Sequence, residues 1–223
     1  MRKISKKNNF IYLFVALIVF LFSSTIVLML PQEIGEDIFT ASAAIMLLVS
    51  LWSLHTDKTW KWSIYVLLFT YATLAIMSKY FTSQIIVVLM LMTLVVFFVG
   101  SFWVSARQVL FEGDIDGNKI IGSISLYILI GLAWAIIYLV LIISDPKAFS
   151  GIDAGSWQQI FASVAYYSFV TLTTLGYGDI LPQNHIAEFF AYTEAIVGVF
   201  YMAIIVSSLI SLRLAAIQKN KRH

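Results

Sequence analysis

The sequence contains no cysteine, only three prolines, and charged residues at just 12% of its 223 positions. Without cysteine there is no disulfide framework and no thiolate metal site, and the redox compartment leaves no mark. A soluble domain is about a quarter charged, so this scarcity of charge excludes an ordinary soluble domain. No nucleophile–base pair, phosphate-cradling loop or metal cluster appears either. The expectation is a protein that is not an enzyme, uses no cofactor and binds no nucleic acid, with no protein partner readable beyond copies of itself.

Apolar residues fill the space left by charge, at 61% of the chain. A span of about 20 apolar residues crosses a ~30 Å hydrocarbon core. Six stretches qualify: 10–30, 38–54, 62–78, 83–104, 120–143 and 186–212. The apolar run after the basic "MRKISKKNN" is longer than the 7–15 residues of a signal peptide and lacks a small-residue cleavage site, so it reads as a retained first span. Of the 14 lysines and arginines, all but Lys79 and Lys147 fall on one side of a six-times-crossing chain. The positive-inside bias then predicts a multi-pass cell-membrane protein with both termini cytoplasmic and the segment 144–185 facing outward. Trp52, Trp60, Trp62 and Trp103 fall near span ends, as headgroup-level belts do.

Between the fifth and sixth spans, "TLTTLGYGDI" (171–180) places two glycines around a tyrosine. Glycine inside a helix costs about 1 kcal/mol relative to alanine, so a helix from Trp157 to about Val170 should stop there. Ser156 and Gln159 have capping-box spacing for its start, and its length of roughly 20 Å reaches mid-membrane without crossing. Its carbonyl end would then favour a cation. The return must be extended, and Gly176 and Gly178 give it the backbone freedom. Irregular backbone at that depth survives only when buried in protein or lining water.

At these residues the chain resembles the potassium channels, whose filter reads TVGYG. The match covers Thr174, Gly176, Tyr177 and Gly178, with Leu175 where valine is commoner and Asp179 following. The resemblance implies that the carbonyls of Thr174, Leu175, Gly176 and Tyr177 replace the hydration shell of K⁺. The Thr174 hydroxyl would form the innermost ring. Asp179 would be held by an aromatic of the pore helix, Tyr166 or Tyr167. It also implies a homotetramer, since one chain carries one of the four loops that closed symmetry requires. The bulk of Leu175 leaves open a weakly selective cation pore. A non-conducting sensor or partner subunit keeping the pore fold is a third reading. A potassium transporter subunit fits less well, because those usually carry four degenerate filter repeats in one chain.

The implied fold is all-helical: a basic tail (1–9), a four-helix membrane region (10–105), a cytoplasmic linker (106–119), a pore domain of outer helix, re-entrant pore helix, filter and inner helix (120–216), and a second basic tail (217–223). Gly198, twenty residues after Gly178, sits where the family commonly bends its inner helix; it is a hinge or a site of close packing. Ala195, Val199, Met202 and Val206 share one helical stripe and are the candidate cavity wall. Glu194 lies inside a span and implies a partner: a hydroxyl behind the filter, Ser168 or Thr171, or else a role in proton-linked gating. His185 is an interfacial histidine or an external pH sensor, and Glu188 meets water.

The fourth span, "SQIIVVLMLMTLVVFFVGSFWV", is uncharged, and Arg107 follows only at its cytoplasmic edge. Moving one charge across 100 mV is worth ~2.3 kcal/mol, so a span with none is no voltage sensor. The first hundred residues therefore resemble voltage-gated channels in layout alone. Glu112, Asp114, Asp116 and Gly117 have the spacing of a calcium loop, but Ser123 stands where the closing glutamate belongs, and a solvated linker is expected.

Overall fold

The computed structural model describes residues 9–53, 58–81, 83–111, 117–207 and 210. The basic residues of 1–8 and 211–223, the calcium-loop candidates Glu112, Asp114 and Asp116, and the side chains of Trp52, Lys58 and Val206 lie outside them.

The described chain is helical apart from its connections and one pair of two-residue strands. Six of its helical segments are long and apolar enough to cross a membrane. Four make the peripheral region: α1 (Asn9–Val27), α2 (Gln32–Ser53), α3 (Lys58–Tyr80) and α4 (Gln84–Phe111). Then come α5 (Gly117–Ser144), β1 (Phe149–Ser150), the short α6 (Trp157–Leu172), β2 (Leu181–Pro182) and α7 (His185–Phe200), which runs on into a π-helical segment (Tyr201–Val206).

Helix ends depart from hydropathy at three places. α2 begins at Gln32 rather than near Ile38: Pro31 precedes it, and acidic Glu33 suits the positive end of a helix. α4 continues through Arg107 and Gln108 to Phe111, both of them good helix formers. The expected linker is therefore helical at both ends. The inner helix leaves α geometry at Tyr201.

α1 and α2 pack closely, with the buried Ser23 and Ser42 hydroxyls 2.7 Å apart between them. Small residues allow such approach where no hydrophobic force drives helices together. On α4, a Cβ at Gly100 would lie 1.9 Å from the Trp60 ring, so the α3 indole fills the glycine's place. Trp60 is thus inserted between helices, while Trp62 and Trp103 are 70% and 75% exposed, as belt residues are. The peripheral region meets the rest through α4 on α5, α1 on α5 and an aromatic cluster. In that cluster Phe20 and Phe39 lie against Phe161 of α6 at 5.5 and 5.0 Å between ring centres, and Trp157 meets Phe39 edge-on.

Candidate functional site

α6 starts as its sequence demands: the Ser156 N–H donates to Gln159 Oε1 at 3.0 Å. It ends at Leu172, and the chain folds back on the helix it has left. The N–H groups of Leu175 and Gly176 both donate to the Val170 carbonyl, at 2.9 and 3.3 Å, and that of Thr174 to Thr171. In a trans peptide the N–H and the preceding C=O point opposite ways, and no peptide here is cis. The carbonyls of Thr173, Thr174 and Leu175 therefore point away from α6.

The φ angles continue this arrangement. Thr174 (+59°), Gly176 (+58°) and Gly178 (+79°) are left-handed, while Leu175 and Tyr177 keep negative φ. Alternating handedness gathers successive N–H groups on one side, leaving the carbonyls to the other. An extended strand would alternate them. Thr174 is the one described non-glycine residue with positive φ, and a β-branched residue there is strained. Such strain collects at functional sites. A Cβ on Gly176 or Gly178 would meet nothing within 4 Å, so conformation rather than space calls for glycine.

The stretch is held at the end that leads to β2. The Tyr166 hydroxyl donates to Asp179 Oδ2 at 2.7 Å, and its ring stacks on Tyr177 at 6.5 Å and 11°. Tyr167, the other candidate, instead turns behind α6 onto Tyr138 and Phe149. β1 pairs with β2 just beyond, Phe149 opposite Pro182. Gly151 is essential to that closure: a Cβ there would lie 2.0 Å from the Asp179 carbonyl oxygen. Next, Asn184 caps α7 by accepting from the Ala187 N–H at 2.8 Å. His185 is exposed and pairs with Glu188 at 3.2 Å in the first turn of α7.

Behind α6, Glu194 is fully buried. Of the two expected hydroxyls it meets Ser168, at 2.5 Å, and it also accepts from Tyr138 at 2.5 Å. Ser168 Oγ also lies 2.7 Å from the Gly131 carbonyl. One serine proton cannot serve both acceptors. With a proton on Glu194, the carboxyl would donate to Ser168 and leave the serine to donate to Gly131, while Tyr138 donates to the other carboxyl oxygen. A neutral carboxyl also avoids burying a lone charge.

Gly198 is buried, and a Cβ on it would lie 2.1 Å from the Leu172 carbonyl oxygen. The inner helix therefore touches the end of α6 there. Three residues on, the π-helical segment begins. Its first residue, Tyr201, is buried, donates to the Ser123 carbonyl, and packs on Tyr127 at 5.2 Å between rings. Tyr127 in turn donates to the Leu172 carbonyl at 3.0 Å. Of the candidate cavity wall, Val199 and Met202 are exposed and Ala195 half-buried.

Tyr138, Tyr127, Gly131 and Gly151 had no signal in the sequence, because each acts on a residue far along the chain. The π-helical segment had none either, since "YMAIIV" contains no glycine or proline.

Residues 126–213 match a family whose description is "Ion channel". No curated protein and no solved structure matches the chain. The protein is a multi-pass membrane protein, and its C-terminal region is similar to an ion-channel family over residues 126–213.

Proposed function

We propose that the chain assembles as a homotetramer and conducts K⁺ passively through a filter formed by Thr174, Leu175, Gly176, Tyr177 and Gly178. Dehydrated ions would pass between rings of carbonyls, each pushing the next. The observation that carries this reading is the alternating φ from Thr174 to Gly178, joined to N–H groups tied back to α6. Together they free a row of carbonyls to which no backbone N–H among the described residues donates.

Exposure supports the tetramer. Tyr177 is 67% exposed, and Ile186, Phe189, Ile196, Val199 and Phe200 leave one side of the inner helix beside it uncovered. Copies around an axis would cover that side. Asp179 and Tyr166 would hold the mouth, Glu194 the back of α6, and the stripe through Met202 and Val206 would line the cavity below. The termini would be cytoplasmic, following the basic residues. Gating would depend weakly on voltage, because α4 carries no charge before Arg107.

The test is K⁺ and Na⁺ flux from liposomes holding purified protein, beside Gly176→Ala. An alanine forced to a positive φ costs roughly 1–2 kcal/mol in each subunit. Flux of K⁺ well above Na⁺, lost in the variant, is the expected result. Equal K⁺ and Na⁺ flux would make it a weakly selective cation pore, and none from a folded tetramer would defeat the reading.

A further inference from the structure

A cleft of about 730 Å³ opens where α2 begins, α3 ends and α6 begins. Glu33, Glu36 and Asp37 of α2 line it, with Lys79 of α3 and the first two residues of α6, Trp157 and Gln158. Three carboxylates against one ammonium leave the lining two charges negative.

Part of that charge is already answered. Glu33 stands in the first turn of α2, where the positive end of a helix favours an acid. Lys79 pairs with Asp37 at 2.6 Å. Glu36 is half-buried in the second turn, past the reach of the dipole. Its partner among the described residues is the neutral Gln32 amide, at 2.9 Å. An acidic turn alone would be no more than a solvated helix start.

The other side of the cleft supplies an independent reason for a ligand. Gln158 is 5% exposed, and its Oε1 has no hydrogen-bond partner among the described residues. Folded proteins meet nearly all such buried acceptors. What the cleft lacks is therefore an N–H donor that also carries positive charge. Its volume falls within the ~300–1,000 Å³ of small-molecule sites and is too large for a bare ion. Among the described residues no three His, Cys, Asp or Glu group to hold a metal, whereas Ca²⁺ takes six to eight oxygens. Phe81, Val87 and Trp157 add apolar wall, which suits a methylene chain.

We infer that this cleft binds an aliphatic diamine, one per chain. One ammonium sits at Glu33 and Glu36, the other donates to Gln158 Oε1, and the methylenes lie against Trp157 and Phe81. Bound there, the dication links the start of α2 to the start of α6.

Binding is read without flux, so its failure leaves the channel reading untouched. The purified full chain in lipid nanodiscs is titrated with 1,5-diaminopentane by isothermal calorimetry. One site per chain is expected, about fivefold weaker in the double variant Glu33→Gln/Glu36→Gln. Gln158→Leu should weaken it by about tenfold. That variant exchanges an unpartnered buried acceptor for an apolar side chain of similar size, so folding survives it. Asp153→Asn, whose exposed acid lies outside the cleft, should change nothing. Pentylamine, with one charge, and the fully N-methylated diamine, with no N–H, should both bind more weakly. Equal affinity across the variants or across the three amines would overturn the proposal, leaving a merely acidic surface. So would heat from Mg²⁺ but not from the diamine, which would make this a metal site, and so would no heat from any of them.

Discussion

The two halves of this chain cross the membrane under different rules. Among the C-terminal spans, 67% of the residues in the apolar stretch of α5 are buried and 22% of those in α7; among the peripheral spans the share runs from 11% in α3 to 44% in α2. Contacts differ in kind as well. Hydroxyls such as Ser125 and Ser144 return to their own helix in the C-terminal region too, but other side chains there reach across to backbone: Trp134 donates to the Phe190 carbonyl, Tyr127 to Leu172, Ser168 to Gly131. Peripheral hydroxyls mostly return to their own helix, as Ser50 does to Leu47 and Thr93 to Leu89. A helix whose polar groups are satisfied internally can slide against its neighbours. One whose carbonyls are held from outside cannot. The C-terminal helices hold one another's carbonyls through side chains, and the peripheral helices pack beside them.

The sharpest way to break this comparison is to add one methyl group to each half. In Gly198→Ala the new Cβ meets a carbonyl oxygen at 2.1 Å, while in Gly100→Ala it meets the far end of the Trp60 ring at 1.9 Å. The atom met at the end of α6 is backbone rather than the tip of a side chain, and overpacking of that sort costs about 3 kcal/mol, the upper end of its usual range. A ring on the least buried helix swings aside. K⁺ flux should vanish in Gly198→Ala and persist in Gly100→Ala, with the tetramer followed by size-exclusion chromatography. Equal damage from both would mean that the periphery is as rigid as the pore.

The next effect concerns the buried carboxyl. If Glu194 carries a proton, Gln reproduces the network: its amide donates to Ser168 and its carbonyl accepts from Tyr138. Glu194→Gln should keep flux within about twofold. Glu194→Ala leaves the Tyr138 hydroxyl buried without a partner, a loss of about 1–3 kcal/mol, and flux should fall by about tenfold. If Gln proves as harmful as Ala, the carboxyl is charged and the proton count is wrong.

What the sequence revealed follows the same division. The turn at 174–178 was legible because its backbone is local: handedness alternates there, and glycines stand at two of the left-handed positions, Gly176 and Gly178. Asp179 was readable with its aromatic partner narrowed to two neighbours, of which Tyr166 makes the contact. Tyr138 was not, since it lies 56 residues from Glu194 and only the packing of α5 on α7 brings them together. The start of α2 was misplaced because hydropathy counts Glu33, Glu36 and Asp37 as outside the membrane, whereas a helix admits acids in its first turns. Gly198 fitted either a hinge or close packing. The close contact with Leu172 supports the second, and the departure from α geometry falls three residues later.

The smallest difference is between two buried serines. Ser168 links α5, α6 and α7, and without its hydroxyl the Gly131 carbonyl and the Glu194 carboxyl each lose a partner. Ser168→Ala should lower tetramer stability by about 1 kcal/mol per subunit. Ser23 has a bond of the same length to Ser42, 2.7 Å, but each hydroxyl can also donate within its own helix, to Phe20 and to Phe39. Ser42 therefore stays satisfied when its partner goes. Interhelical bonds of this type average about 0.6 kcal/mol in membranes, and Ser23→Ala should lose that much or less. Thermal melting of the tetramer, scored for both variants on one preparation, checks the order. A Ser23→Ala loss equal to that of Ser168→Ala would show the α1–α2 contact to be as specific as the filter's support.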